Sequence, residues 1–170
     1  LALLTDNVSD TLSQLIRTAL VPAKGYTFVD ADFSAIEARL IAWLAGEEWV
    51  LDVFRTTGKI YEATAARIFG VPFDSIAKGN PNYKYRQRGK VATLALGYQG
   101  GVGAMKRMGG DQLGLDDEGL QDIVNRWRRQ NPRICKLWRR MQDAAVHTIR
   151  TGKTTQPRSG VIFRKELAPD

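Results

Sequence analysis

The sequence predicts an α+β fold that is mostly helical and carries a small β element. Apolar residues recur at helical spacing in most segments, and glycine or proline separates those segments. One short stretch near residue 30 alternates instead, with β-branched and aromatic residues. The tail "KTTQPRSGVIFRKE" reads as two short strands around a Pro157–Gly160 turn. Helices segregated from a small strand pair make an α+β arrangement.

In chain order, "YTFVDAD" (26–32) is the expected strand. Ser34 then begins a helix, with Glu37 three residues on at the spacing of a capping box. Ile36, Leu40, Trp43 and Leu44 fall on one helical face, and Gly46 stops the helix. Further helices are expected at 47–56, 59–69, 83–97, 101–108, 117–130 and 133–150. Gly58, Gly70-Val71-Pro72 and Asn131-Pro132 punctuate them.

The 170 residues suffice for one ordinary core, and 44% hydrophobic with 25% charged residues excludes a disordered chain. One cysteine and one histidine exclude a disulfide within the chain and leave too few ligands for a Cys/His zinc site. No apolar run approaches membrane length and no secretory signal is visible, so a reducing, intracellular setting is expected. Asn7-Val8-Ser9 matches a glycosylation sequon that nothing else supports. The net charge of +7 favours an anionic partner and is unevenly spread. Residues 78–110 hold seven Lys/Arg and no acid, and "RWRRQNPRICKLWRR" (126–140) is also acid-free.

Several residues suggest chemistry, each beside an ordinary structural explanation. Asp30 and Asp32 would share one face of the strand, where two carboxylates suit a divalent cation; they would equally suit a solvated strand end. Glu37 either caps its own helix or faces whatever Asp32 holds. Arg86, Lys90, Leu94 and Tyr98 are spaced by four, so they form a slowly inclined stripe about 18 Å long on one helix. Cations followed by apolar and aromatic surface match the chemistry of a triphosphate followed by a base, or an amphipathic surface helix with a solvated basic end. Gly97, Gly100, Gly101 and Gly103 mark a helix-end loop or a hinge. "TGKTT" (151–155) is not a phosphate loop, because His147 stands where that motif needs glycine. Trp127 and Trp138, eleven residues apart and so on one helical face, read as core. The charges around them remain open to a nucleic-acid backbone. Cys135 and His147 read as ordinary helix residues. The residues alone leave three classes open: an enzyme that handles a triphosphate, a non-catalytic helical nucleic-acid-binding module, and a metal-dependent nucleotide-sugar transferase using Asp30 and Asp32.

Two stretches together are more specific. "DFSAIEARLIAWLAG" (32–46) resembles motif A of the family A DNA polymerases, and "RQRGKVATLALGYQG" (86–100) resembles their motif B. "GKIYEATAARIFGVP" is similar to the link between these motifs, and "RRQNPRICKLW" to the stretch that follows. The resemblance spans about 20–165 and is nearest to phage-like members. It implies the fingers and part of the palm of a right-hand polymerase. Residues 1–46 would be partial palm with the motif A strand and helix, and 47–150 helical fingers with the motif B helix at about 83–97. Residues 151–170 would be a β-hairpin returning toward the palm.

By resemblance, Asp32 is the catalytic aspartate that binds both Mg²⁺ ions, with the Phe33 backbone carbonyl assisting. Asp30 matches no ligand. Glu37 matches the residue that packs on the sugar and excludes a 2′-hydroxyl. Arg86 and Lys90 match the triphosphate-binding cations, Lys90 also being the proton donor to pyrophosphate, and Tyr98 matches the tyrosine near the template. Leu94 stands where the family usually has an aromatic against the nucleotide, and Tyr61 where many members have a phosphate-contacting histidine. The second metal-binding motif, a His-Asp-Glu hairpin, is not found; the one histidine lies in "VHTIR". A thumb and an exonuclease domain are not found either. The expectation is therefore a fragment of a DNA-directed DNA polymerase, inactive alone. Its partners would be primer-template DNA and deoxynucleoside triphosphates, in replication or repair, in the cytoplasm of a bacterial or phage-infected cell.

Overall fold

The structure is a computed structural model that describes residues 7–158 and 160–166. The chain divides into two compact units, Leu1–Ser34 and Ala35–Asp170.

In the first unit, helix α1 (Val8–Leu15) is capped by Asn7, whose Oδ1 accepts from the Asp10 N–H at 3.0 Å. A 3-10 turn over Ile16–Ala19 follows. Residues 26–32 do not form the expected strand. An alternating pattern describes a half-buried strand, but a strand exists by pairing its backbone groups. The one sheet among the described residues is a two-stranded pair elsewhere in the chain. Tyr26, Phe28 and Val29 are accordingly exposed. Without the strand, the shared face argued for Asp30 and Asp32 loses its basis.

The second unit holds α2 (Ile36–Ala45), α3 (Glu48–Thr56), α4 (Ile60–Phe69), α5 (Lys84–Leu96), α6 (Val102–Arg107), α7 (Asp117–Gln130) and α8 (Pro132–Thr151). These agree with the periodic segments to within about two residues. The start of α2 differs. Ala35 occupies the N-cap in a left-handed conformation, φ 49°, and offers no side-chain acceptor. Ser34 therefore precedes the cap, and the expected Ser34–Glu37 capping box does not start this helix. Glu37 sits in the first turn instead, where the positive helix end favours a carboxylate. At the other end Gly46 takes φ 68° and its N–H closes on the Ala42 and Trp43 carbonyls, as the helix stop requires.

The main core gathers around α5. Val91, Ala92 and Leu96 are buried with Leu120, Ile123 and Trp127 of α7 and with Ile134 and Leu137 of α8. Trp127 is a core residue as expected and Trp138 packs partly buried against the core, but they lie on two helices rather than one face of one helix. Asn131-Pro132 breaks the run, and the rings stack across the joint at 6.0 Å and 10°.

Three polar side chains fasten helix ends. Trp138 Nε1 donates to the Gly97 carbonyl at 3.0 Å, at the end of α5. Trp49 Nε1 donates to the Gln130 carbonyl at 3.0 Å, at the end of α7. The buried Glu47 carboxylate accepts from the Arg133 and Ile134 N–H groups at 2.9 and 3.3 Å, in the first turn of α8. Pro132 opens α8 and the N-cap gives no side-chain bond, so Glu47 supplies the missing acceptor from another element.

Strands β1 (Thr155–Arg158) and β2 (Val161–Phe163) pair antiparallel, with Thr155 opposite Phe163 and Arg158 opposite Val161. The expected tail hairpin is present; position 159 of its turn lies outside the described residues. Arg158 donates to the Trp43 carbonyl at 3.0 Å and lies over the Trp43 ring, which ties the hairpin to the end of α2.

Glu47→Ala leaves two donors at the start of α8, the buried Ile134 N–H and the part-buried Arg133 N–H, without their acceptor. It should cost about 2–3 kcal/mol in urea unfolding. Glu47→Gln keeps an acceptor oxygen and should cost less.

Candidate functional site

Helix α5 buries Gly89, Val91, Ala92, Thr93, Ala95 and Leu96 on one side. The expected stripe lies on the other. Arg86 and Lys90 are half-buried, Leu94 is 39% exposed and Tyr98 is 55% exposed.

Arg86 meets α4. Its Nε donates to Glu62 Oε1 at 2.8 Å, and its guanidinium lies 5.6 Å from the centre of the Tyr61 ring. The hydrogen bond to Glu62 raises the Arg86 pKa, and partial burial opposes it. Lys90, one turn along, makes no hydrogen bond or ion pair with a described residue. At the far end, the Tyr98 hydroxyl donates to the Glu37 carbonyl at 3.2 Å, joining α5 to the first turn of α2. Partial burial, then the Glu37 charge, pushes the Tyr98 phenol above its ordinary range. Glu37, Tyr61, Arg86, Lys90, Leu94 and Tyr98 thus all lie in the second unit on α2, α4 and α5 or the turn after it.

The other cations of the run turn away. Arg88 lies over Phe69 and Tyr85, which stack on each other at 4.5 Å, and donates to the Leu113 carbonyl at 3.3 Å. Lys84 lies over Tyr85. The run that looked uniform in sequence divides: Lys84 and Arg88 pack on Tyr85, Arg86 pairs with Glu62 beside Tyr61, and Lys90 has no described partner.

Backbone proximity sets this division. A Cβ on Gly89 would come within 2.2 Å of the Tyr61 carbonyl oxygen and 2.9 Å of the Ala65 Cβ. The missing side chain therefore lets α5 lie directly on α4. Thr93 follows one turn later; its hydroxyl donates to the Gly89 carbonyl at 2.8 Å and lies 3.2 Å from the Thr64 hydroxyl. After α5, a Cβ on Gly100 would fall 1.9 Å from the Ala95 carbonyl oxygen, so that glycine serves a tight turn.

Asp30, Asp32 and Phe33 belong to the first unit, where they are exposed on irregular backbone. Carboxylate and carbonyl oxygens are the donors a hard divalent cation takes, so Asp32 and the Phe33 carbonyl fit one in kind. Among the described residues no group of three His, Cys, Asp or Glu converges as a metal cluster.

The second basic run lines a cavity of about 410 Å³ with Gln99, Arg128, Arg129, Cys135, Trp138 and Arg139. Arg128 and Arg129 occupy the last turn of α7, where cations complement the helix dipole, and Arg128 donates to the Gly100 carbonyl at 3.1 Å. Burial pushes the Cys135 thiol up, which opposes the thiolate a reactive cysteine needs. His147 is an exposed residue of α8. Among the described residues no helix is long and apolar enough to cross a membrane.

Sequence reasoning missed Glu62 and Gly89. Both have a signal in retrospect: an acid in the first turn of α4 next to Tyr61, and a glycine inside a helix, where it costs about 1 kcal/mol against alanine unless packing requires it.

The family model described as DNA polymerase family A matches residues 6–162. A DNA polymerase of Bacillus phage SP02 is 51% identical over 164 residues, which cover 96% of this chain and 25% of the relative. DNA polymerase I of Pseudomonas aeruginosa is 30% identical over 132 residues, 77% of this chain and 13% of the relative. The thermostable DNA polymerase I of Thermus filiformis is 29% identical over 163 residues, 96% of this chain and 18% of the relative. The chain thus spans a quarter or less of the length of these relatives.

Gly89→Ala should destabilise the chain by about 2–3 kcal/mol in urea unfolding, since backbone must shift to admit the methyl group. Ala65→Gly should not rescue it, because the closer clash is with a backbone oxygen. Tyr98 gives a pH-dependent companion. Its raised pKa means the folded chain favours the neutral phenol. That stability is complete below the ordinary phenol range near 10.0 and is lost as pH rises through the higher folded value. Tyr98→Phe should remove this alkaline loss from a stability-versus-pH profile.

Proposed function

The chain belongs to DNA polymerase family A, and on that premise we propose that it handles the incoming deoxynucleoside triphosphate in template-directed extension of a primer 3′ end. The observation that carries this reading is the exposed stripe of α5: Arg86 held beside Tyr61, Lys90 without a described partner, Leu94 as apolar surface, and Tyr98 bonded to Glu37. Cations lead, apolar and aromatic surface follows, and the order suits phosphates, then sugar and base.

In this reading the Arg86 fork and the Lys90 ammonium bind triphosphate oxygens and neutralise charge that grows as the α-phosphate is attacked. Lys90 also gives a proton to the departing pyrophosphate. Leu94 and Tyr61 line the nucleotide, and neither adds charge. Glu37 crowds the 2′ position of the sugar, and Tyr98 faces the template side. Asp32 and the Phe33 carbonyl supply oxygen ligands for Mg²⁺, which when bound would polarise the phosphates and lower the pKa of the attacking hydroxyl. We assign 1–46 to the palm, 47–150 to the fingers and 151–170 to a hairpin returning toward the palm. The working partners are primer-template DNA and deoxynucleoside triphosphates, in replication or repair, in the cytoplasm of a bacterial or phage-infected cell.

The test is equilibrium binding of a deoxynucleoside triphosphate to these 170 residues, followed by tryptophan fluorescence. Lys90→Ala should weaken binding by about tenfold, the order of one charge-assisted contact, while Asp30→Asn should not. Equal affinity of Lys90→Ala and the unaltered chain would remove the nucleotide reading and leave a nucleic-acid-binding helical module. These residues alone should not extend a primer, because they bring one candidate metal-binding aspartate to chemistry that uses two ions; robust extension would overturn that part. In a polymerase that contains this chain, Glu37→Ala should raise ribonucleotide incorporation relative to deoxynucleotide. An unchanged ratio leaves Glu37 only its place at the α2 dipole.

A further inference from the structure

We propose that Glu62 is a positioning residue: its carboxylate holds Arg86 by Nε, so that the Nη groups are presented to a triphosphate on the exposed face of α5. This rests on the nucleotide reading of the stripe and names the group that orients its first cation.

The geometry is specific. Glu62 lies in the first turn of α4, where the positive helix end supports a carboxylate. It reaches across to α5, and its side chain is only 14% exposed against 34% for Arg86. This is the least exposed ion pair among the described residues; in the others both partners are more than a third exposed. The bond goes to Nε, and no described residue hydrogen-bonds to Nη1 or Nη2. The Tyr61 ring lies against the same guanidinium, and Gly89 brings both α4 residues within reach. A guanidinium held on its Nε side keeps its terminal fork for a second oxyanion. A carboxylate seated on the Nη groups would instead compete with phosphate. Holding the fork in advance removes rotamer entropy that binding would otherwise cost. The like charge of Glu62 toward phosphate works against this gain, and the proposal is that positioning wins.

The test uses the 170-residue chain, with inorganic tripolyphosphate and a deoxynucleoside triphosphate as separate probes. Binding is measured for the unaltered chain, Arg86→Ala, Glu62→Ala and Glu62→Gln, each first checked for helicity by circular dichroism. The Arg86 Nε–H resonance is followed by NMR. Glu62→Ala should weaken tripolyphosphate binding by about three- to tenfold, the range of one net hydrogen bond, and should return the Nε–H to fast exchange with water. Glu62→Gln keeps an oxygen acceptor of the same shape and should fall between. If Arg86→Ala weakens binding while both Glu62 variants bind as well as or better than the unaltered chain, positioning is overturned and the nucleotide reading stands. If Arg86→Ala changes nothing, or the unaltered chain binds neither probe, that reading fails and the proposal falls with it.

Discussion

The constraint on which the helix packing of the second unit depends is the seating of α5 on α4 at Gly89. A hydrogen atom occupies the place where any other residue would put a carbon 2.2 Å from a backbone oxygen. Interiors packed to crystal-like density transmit such a contact rather than absorb it. Because Tyr61 supplies that oxygen, its neighbour Glu62 is carried to within hydrogen-bond distance of Arg86, three residues before Gly89. The same seating puts Thr93 beside Thr64 one turn later. One absent side chain thus fixes the rotation and depth of α5 and decides which of its cations meet α4. Arg88 meets the other end of α4, over Phe69, which stacks on Tyr85.

Seating one helix on another fixes a line of contact, and the ends still need anchoring. Here polar side chains from distant positions do it. Trp138 accounts for a carbonyl at the end of α5, Trp49 for one at the end of α7, and Glu47 for two N–H groups at the start of α8. Each satisfies a group that a helix end leaves orphaned, and each costs more to lose than to make, because the group is buried or nearly so. Tyr98 does the same work across the exposed side, from the end of α5 to the first turn of α2. The stripe is therefore held at both ends while its middle, Lys90 and Leu94, stays open.

What was legible in the sequence follows from the range of the forces involved. The helices from 48 to 151 were readable because periodicity and glycine or proline punctuation are local signals. The stripe was readable for the same reason: spacing by four survives any packing. The strand at 26–32 was not, since alternation states a tendency that only a pairing partner realises. The Ser34 cap failed by one residue, because Ala35 takes a left-handed turn that no composition rule anticipates. Helix α1 escaped notice although Asn7 and Asp10 are an ordinary capping pair. Trp127 is core and Trp138 partly so, but not by sharing a helical face: the Asn131-Pro132 break puts them on two helices whose rings meet across it. Glu62 was invisible as a partner of Arg86 because 24 residues separate them and only the close approach at Gly89 brings them together.

The two cations of the stripe are not interchangeable, and the geometry says why. Arg86 already has a partner, so it serves a second oxyanion only if its donors can be divided between two directions. A planar fork with a separate Nε–H can be divided in that way. An ammonium is a single point charge on a flexible stem, and a lysine at 86 would be drawn to Glu62 or to phosphate, not both at once with fixed geometry. Lys90 is the reverse case. No described residue pairs with it, and it is half-buried. An acid beside position 90 would neutralise the one cation of the stripe that has no described partner. Arginine thus stands where a carboxylate waits and lysine where no described carboxylate does, and that is the distribution the proposed reading of the stripe asks for.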